Sequence, residues 1–392
     1  MTILSFEDLL SKGKVFLNLL IALPLERLAR VKKNRIICWS FQQQKYACNP
    51  RAITDYLLTN HPGEFEIYWA FEKGIDVTCV DPRVRIVFKN SFAYAWALGS
   101  SHFVINNSRS CIYDDFFVKK KGQVYIMTWH GSLGTKPCEK DAEQVLSKKY
   151  VEYAKRDSRM CDLLVSGNDF LTNLYRRAFW YDGEVLEKCY PRNDIYYDKV
   201  RIQNNKEKIC RYYNIPQDHA ILLYAPTFRS GLQTDVYKIN WSNVVKSFED
   251  RFNTLVSLIV KLHPNYIGYY HKGELFSGTN VIDAIDYPDL SDLVCAADYM
   301  ISDYSSSIFD MAYMFKPCFI YAPDHVTYDR GYYFKLNDLP FPFAVSEEEL
   351  NGIILNFDED NYHRTLSNFF DNIGMKEDGC GAKRLYDWMC AH

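Results

Sequence analysis

The sequence predicts an α/β protein with two parallel-sheet domains that face one another. Short apolar runs alternate with segments of helical spacing along most of the chain, and a charged stretch with little apolar content, residues 198–211, interrupts this alternation. Alternating strands and helices are typical of parallel sheets, and a polar joint between two such sets indicates two domains. A length of 392 residues is enough for two cores of ordinary size.

The predicted elements fall into two sets. In the first set the apolar runs predict strands at 35–40, 66–71, 84–88, 103–105, 124–127 and 163–166, with helices at 49–60 and 91–99. In the second set they predict strands at 221–224, 258–262, 299–301 and 318–321, and helices end the chain. We therefore expect an N-terminal segment (1–34), a first domain (35–195), a second domain (196–345) and C-terminal helices (346–392).

The N-terminal segment combines an apolar run, Val15 to Leu25, with a basic cluster that only Glu26 opposes; the cluster is Arg27, Arg30, Lys32, Lys33 and Arg35. The apolar run is far shorter than the roughly 20 residues that a spanning helix needs. The pattern predicts an amphipathic helix in the interface of an anionic membrane. The alternative is a helix that packs on the body of the protein and exposes a solvated charged end.

Composition excludes several classes of protein. The net charge of −3 provides no basic field for nucleic acid. The twelve cysteines include no Cys-x-x-Cys pair, which predicts free thiols in a reducing compartment rather than disulfides or a zinc site.

A serine cluster follows the apolar run that ends near Ser302. Asp303 and Ser305 to Ser307 precede a helical pattern, so several hydroxyl and N–H groups are expected at one helix N-terminus, where a phosphate can bind. The alternative is an ordinary serine N-cap. Asp303 is expected to cap the helix.

Two histidines occupy equivalent places in the two domains. His130 and His263 each come directly after an apolar strand, beside Gly131 and Pro264. Either alone could be a structural histidine, but ligands of parallel sheets bind at the carboxyl ends of strands, so facing domains would bring both into one cleft. No third ligand at helical spacing to either supports a zinc site.

An ordered set of motifs resembles the CDP-glycerol:glycerophosphotransferase family, the teichoic-acid-type primases and polymerases. The motifs are Trp129-His130-Gly131, Tyr190-Pro191-Arg192-Asn193-Asp194, Tyr224-Ala225-Pro226-Thr227-Phe228-Arg229, His263-Pro264, Tyr287-Pro288-Asp289, Ser302-Asp303-Tyr304-Ser305-Ser306, Phe309-Asp310 and Lys316-Pro317.

The resemblance implies a GT-B-like fold of two Rossmann-type domains, the first for the acceptor and the second for the nucleotide. It also implies a peripheral, monotopic enzyme on the cytoplasmic face of a bacterial membrane. The donor would be CDP-glycerol or CDP-ribitol, with no cofactor or metal, and the acceptor a lipid-linked or polysaccharide glycan. The implied catalytic residues are His130 and His263. The residues implied to contact the CDP-alditol are Trp129, Gly131, Ser132, Arg192, Pro226, Thr227, Lys261, Leu262, Ser305, Ser306 and Asp310, with Arg229 as an additional phosphate ligand.

The chain departs from the family pattern at three places. The tract Ser132-Leu133-Gly134-Thr135-Lys136-Pro137 differs from that of wall teichoic acid enzymes, Cys189 replaces a usual glycine, and Lys261 stands where arginine is frequent. The first departure lies on the acceptor side and indicates a relative that decorates capsules or surface glycans.

In the expected reaction His130 accepts the acceptor proton while the hydroxyl attacks the β-phosphorus and CMP leaves. His263 is expected to stabilise the charge that develops on the diphosphate, and Asp310 to accept hydrogen bonds from the alditol. Three alternatives remain open: a GT-B glycosyltransferase that uses a nucleotide sugar, a non-catalytic glycan- or lipid-binding module, and a soluble nucleotide-binding protein.

Overall fold

The computed structural model describes residues 24–110, 117–134, 136–229, 235–263, 266, 276, 281–327 and 331–392. They form two parallel sheets of seven and six strands, each with its own buried core, which confirms the predicted two-domain α/β architecture.

The first sheet has the order β3-β2-β1-β4-β5-β6-β7, and every neighbouring pair is parallel. Its strands are β1 (Lys32–Cys38), β2 (Glu66–Phe71), β3 (Arg85–Phe88), β4 (Ser101–Asn106), β5 (Val124–Met127), β6 (Leu163–Val165) and β7 (Glu184–Leu186). Its helices are α1 (Cys48–Asn60), α2 (Phe92–Ser100), α3 (Lys148–Met160) and α4 (Asp169–Ala178), with a 3-10 turn at Glu139–Val145. The strand order reverses between β1 and β4, which opens a crevice at their carboxyl ends.

The second sheet has the order β10-β9-β8-β11-β12-β13, again parallel throughout. Its strands are β8 (Ala220–Tyr224), β9 (Val256–Val260), β10 (Val281–Asp283), β11 (Tyr299–Ser302), β12 (Cys318–Tyr321) and β13 (Phe343–Ala344). The helices that follow the first domain are α5 (Lys199–Tyr213), α6 (Trp241–Phe252), α7 (Leu290–Ala296), α8 (Ser307–Ala312), α9 (Glu347–Leu355), α10 (Glu359–Asn372) and α11 (Gly381–Ala391), with 3-10 turns at Pro191–Tyr197, Asp235–Tyr237 and Leu336–Asp338. The predicted joint at residue 195 lies inside the 3-10 turn Pro191–Tyr197.

Three strands were not predicted: β7, β10 and β13. All three lie at the edge of a sheet and have two or three residues, most of them only partly buried. An edge strand packs on fewer neighbours, so its sequence carries a weaker apolar signal than that of a central strand such as β8, which is buried throughout.

The chain returns to the first domain at its C-terminal end. Leu385 and Met389 of α11 belong to the core of the first domain. The carboxylate of Asp194 accepts hydrogen bonds from the main-chain N–H groups of Gly381 (2.8 Å) and Ala382 (2.7 Å), where α11 begins. The chain therefore passes between the two domains a second time, and this second covalent connection holds them together.

The predicted N-terminal amphipathic helix falls mostly on residues 1–23, outside the described residues. Residues 24–28 are helical, and Arg27 and Arg30 are exposed. Arg35 was wrongly placed in the basic cluster, because its side chain is buried and its guanidinium is 2.5 Å from Glu66. In the part of the chain that the structure describes, no helix is long and apolar enough to cross a bilayer.

Substituting Gly99 tests how residues 24–29 pack on α2. A Cβ atom at Gly99 would overlap the main-chain oxygen of Glu26. We expect Gly99→Ala to lower the free energy of unfolding by about 1–3 kcal/mol through overpacking, measured as a shift in the urea midpoint. The control is Gly352→Ala in α9, where a Cβ would meet no atom within 4 Å and the higher helix propensity of alanine is neutral or stabilising. Equal midpoints for the two variants would contradict this packing.

Candidate functional site

His130 lies just beyond the carboxyl end of β5, on a sharp turn. Trp129 takes a left-handed conformation (φ 53°), and its ring lies 4.4 Å from the His130 ring between ring centroids. His130 Nδ1 is 2.8 Å from the main-chain oxygen of Asn107. A carbonyl oxygen only accepts hydrogen bonds, so Nδ1 carries the proton and Nε2 has a free lone pair.

The surroundings of His130 favour its neutral form. The residue is open to solvent, yet protein atoms around it desolvate the imidazole and lower its pKa, and the nearby charge of Arg192 lowers it further. A neutral imidazole with a free Nε2 in a solvent-accessible cleft has the properties of a general base at neutral pH.

His263 lies at the equivalent place in the second domain, just beyond β9. Its side chain is exposed, and its ring centroid is 5.4 Å from that of Phe228. Desolvation lowers its pKa, and the positive charges of Lys45 and Lys261 lower it further.

The connection between β1 and α1, residues 39–47 (the β1–α1 loop), reaches the surroundings of both histidines. At its start, the Phe41 ring lies 5.8 Å from the His130 ring, and the Phe41 N–H donates to Asn107 Oδ1 at 2.8 Å. Near its end, Lys45 lies close enough to His263 for its charge to affect that imidazole. One short loop therefore relates the two predicted catalytic residues across the domain interface.

Lys261 lies on the second-domain side of this region. Its ammonium group donates to the main-chain oxygens of Ile285 (2.6 Å) and Tyr287 (2.7 Å), and the residue is buried. Burial, together with the charge of Lys45, lowers the pKa of Lys261 to about 7. Leu262, beside it, belongs to the core of the second domain.

Asp310 joins the two domains. Its carboxylate accepts two hydrogen bonds from Arg192 Nη2, at 2.9 and 2.8 Å, and one from Ser132 Oγ at 2.6 Å. Arg192 Nη1 also donates to the main-chain oxygen of His130 at 3.1 Å. Three residues that the family resemblance implies as donor contacts therefore bind each other at the edge of the cleft.

The serine cluster faces the turn that carries His130. A Cβ atom at Gly131 would lie 3.7 Å from Ser306 Oγ. Ser306 is the N-cap of α8 without a capping side-chain hydrogen bond, and Ser305 Oγ lies 2.8 Å from Ser307 Oγ. Ser305 and Ser306 are partly exposed here.

Several polar atoms near the site are buried without a hydrogen-bond partner among the described residues. They include the hydroxyl oxygen of Thr227, which follows the buried Pro226, Nε of Arg192 and Nδ2 of Asn107. Buried polar groups are normally satisfied, so an orphaned donor beside a cleft indicates a place where a ligand atom would complete the bonding.

One sequence prediction for the second domain is wrong. Asp303 does not cap α8: its carboxylate accepts the N–H of Thr227 at 2.8 Å and ion-pairs with Arg229. Arg229, predicted as a phosphate ligand, is buried and also bonds the Asp324 carboxylate at 2.6 Å. Two carboxylates compensate its charge and link these loops through it, and its role as a phosphate ligand stays a prediction.

Lys45 and Asn107 were not predicted from the sequence. The signal for Asn107 was present, because two asparagines directly follow the apolar run of β4, at the carboxyl end where ligands are expected. Lys45 had no comparable signal, since it lies inside a loop. Within the described ranges, no group of three His, Cys, Asp or Glu residues could hold a metal ion.

Two facing parallel-sheet domains with a cleft at their strand ends define a GT-B-like protein. A solved structure of the wall teichoic acid polymerase TagF, soaked with CDPG, matches with a TM-score of 0.82 and 26% identity over 98% of this chain and 95% of that chain. The family model described as CDP-Glycerol:Poly(glycerophosphate) glycerophosphotransferase matches residues 21–390, so the chain belongs to that family.

Curated relatives carry related names. The chain is 30% identical to a teichoic acid poly(glycerol phosphate) polymerase of Staphylococcus epidermidis and 29% identical to one of Bacillus subtilis, in each case over 91% of this chain. It spans about half the length of these relatives, 50% and 48%. A teichoic acid glycerol-phosphate transferase of Staphylococcus aureus is 27% identical over 90% of this chain and 92% of its own length.

Proposed function

We propose that this protein transfers glycerol phosphate from CDP-glycerol to a hydroxyl group of a lipid-linked or capsular glycan and releases CMP. The observation that carries the proposal is the pair of solvent-open imidazoles, His130 and His263, placed at the strand ends of the two domains and related by the β1–α1 loop. Membership of the glycerophosphotransferase family supports the same chemistry.

His130 acts as the base in the transfer. Its Nε2 accepts the proton of the acceptor hydroxyl, the hydroxyl oxygen forms a bond to the β-phosphorus, and the bond from that phosphorus to the bridging oxygen breaks. The electron pair of that bond leaves with CMP. Catalysis of such a transfer depends mainly on positioning and charge stabilisation, because the transition state is loose.

His263 and Lys261 bind the diphosphate of the donor. Both come from the carboxyl end of β9. Desolvation lowers the pKa of each group and the charge of Lys45 lowers it further, and an anion between the domains would oppose both effects. The Thr227 hydroxyl and Arg192 Nε offer further unpaired donors to the same ligand. Trp129, Gly131, Ser305 and Ser306 are partly exposed and would contact the donor, and the buried Pro226 would position Thr227. Ser132 and Asp310 act by holding Arg192.

We place the enzyme on the cytoplasmic face of a membrane. Eleven cysteines among the described residues are free thiols, which fits a reducing compartment. Leu28 is 84% exposed between the exposed Arg27 and Arg30, a combination suited to an anionic bilayer surface.

A donor panel tests the proposal. The purified protein is incubated with CDP-glycerol, CDP-ribitol, CMP-sialate or a UDP-sugar and a membrane extract as acceptor, and products are analysed by mass. We expect CMP release from CDP-glycerol together with an acceptor mass increase of one or more glycerol phosphate units. Release of UDP, or transfer from CMP-sialate, would identify a sugar transferase instead. Tight donor binding without turnover on any acceptor would identify a non-catalytic module.

A further inference from the structure

Lys45 is a cation of the first domain that faces the second. It lies in the β1–α1 loop, where the order of the first sheet reverses between β1 and β4. Loops at such a reversal are where ligands of parallel sheets bind.

The main chain around Lys45 is fixed to both domains. Ser40 and Lys45 form an antiparallel bridge, and Ser40 Oγ donates to the main-chain oxygen of Lys45 at 2.6 Å. Three residues further on, the Cys48 N–H donates to Asp289 Oδ2 of the second domain at 3.2 Å, and Arg51 Nη1 lies 3.1 Å from the same oxygen. The position of Lys45 relative to the second domain is therefore set by its neighbours, not by its own side chain.

The same loop contains backbone strain. Phe41, Gln42 and Gln43 are consecutive non-glycine residues in the left-handed region, with φ of 45°, 56° and 68°. Non-glycine residues in this region are strained, and this kind of strain concentrates at ligand-binding segments. Gln43 is fully buried and donates to the Tyr94 hydroxyl at 3.1 Å, so the strained loop is locked by its surroundings.

The ammonium group of Lys45 makes no hydrogen bond or ion pair with any residue that the structure describes. The charged and titratable groups that interact with it are Asp289, Lys261 and His263, and Lys261 also interacts with Asp283 and Asp286. Asp289, the acid that acts on Lys45, is already bonded to Arg51 and to main-chain N–H groups. Three basic groups from two domains thus share a region in which the carboxylate that acts on Lys45 is already engaged.

We propose that Lys45 binds the diphosphate of the CDP-alditol donor from the first domain, opposite Lys261 and His263 of the second. This inference rests on the proposed function and specifies how the donor is held. A diphosphate spanning the cleft would be bound by both domains at once, so that donor binding fixes the distance between His130 and the β-phosphorus. An uncharged nucleoside would gain nothing from Lys45.

The experiment measures donor affinity by isothermal titration calorimetry for the wild type, Lys45→Met and Lys45→Arg. We expect Lys45→Met to weaken CDP-glycerol binding roughly 10- to 100-fold, the range for a hydrogen bond between charged groups. Lys45→Arg should retain most of the affinity. The matched control is Lys246→Met on the exposed face of α6, whose lysine pairs with Asp250, and its affinity should equal that of the wild type.

A second measurement distinguishes a direct contact between Lys45 and the diphosphate from an indirect effect of the substitution on the structure. The pKa values of Lys45 and Lys261 lie below the ordinary value of lysine in the free protein, and a bound diphosphate raises both. Donor binding at pH 8 should therefore take up protons, which is seen as a buffer-dependent binding enthalpy, and Lys45→Met should reduce that uptake. Cytidine affinity and the melting temperature should not change.

The experiment distinguishes a failure of this inference from a failure of the proposed function. If the wild type binds CDP-glycerol and Lys45→Met binds it equally well, or if cytidine affinity falls by the same factor, the inference about Lys45 is overturned and the proposed function is unaffected. If the wild type shows no affinity for CDP-glycerol or CDP-ribitol, the proposed function and this inference both fail.

Discussion

Replacing His130 with alanine is expected to lower kcat by about 10²- to 10⁴-fold, the contribution of a well-placed general base. The affinity for CDP-glycerol should change little, because the imidazole is assigned to the acceptor proton and not to the donor. The structural reason is the bond from Nδ1 to the Asn107 oxygen, which leaves Nε2 as the only basic nitrogen of the ring.

The measurement is CMP release at saturating donor, compared with His219→Ala as control. His219 directly precedes β8, at the edge of the sheet opposite the cleft, and contacts Ser257. The wild-type rate should also persist below the ordinary pKa of imidazole and fall only as His130 becomes protonated, since desolvation lowers its pKa. A His130→Ala enzyme within threefold of the His219→Ala enzyme would remove His130 from the mechanism.

Removing the Asp310 carboxylate is expected to have the largest effect on stability. Asp310 and Arg192 are 4% and 10% exposed at their side chains and form a two-bonded ion pair between the domains. Asp310→Ala leaves the guanidinium buried without its counter-charge, which should cost about 3–5 kcal/mol of unfolding free energy.

Urea unfolding of single and double variants tests the origin of this effect. Arg192→Met combined with Asp310→Leu removes both charges and should cost clearly less than the two single changes added together, because no uncompensated charge remains. The control is Asp250→Ala, which breaks an exposed pair with Lys246 and should cost at most about 1 kcal/mol. If Asp310→Ala is no more destabilising than Asp250→Ala, the pair does not hold the domains together.

The fold was predictable because its central strands are buried on both faces. β2, β5 and β12 have the bounds that their apolar runs predicted, and the other predicted strands lie within three residues of theirs. The edge strands β7, β10 and β13 were not predicted, since a short, half-buried strand has no distinctive composition. The motifs identified the family for a related reason: most of them follow a strand or begin a helix, where the chain permits few residue types.

The roles of charged residues inside those motifs were harder to predict. Asp303 and Arg229 were predicted to be a helix cap and a phosphate ligand. They form an ion pair that joins the segments after β11 and β8. Asp194 lies in the same motif as Arg192 and accepts hydrogen bonds from the first N–H groups of α11, nearly 190 residues away in sequence. A carboxylate or guanidinium pairs with the opposite charge that folding brings near it. The spacing of residues in the sequence does not give the distance between two such groups in the folded protein.

By itself the sequence determined the two parallel-sheet domains, the family and the two histidines, because hydrophobic periodicity and the residues at strand ends are local properties. Only the tertiary structure decided which nitrogen of His130 is free, which charges are already paired, and that the charge of Lys45 from the first domain acts on His263 of the second. The physical reason is that hydrogen-bond partners, burial and electrostatic fields depend on distances between segments far apart in the chain, and those distances exist only after both domains have folded and docked.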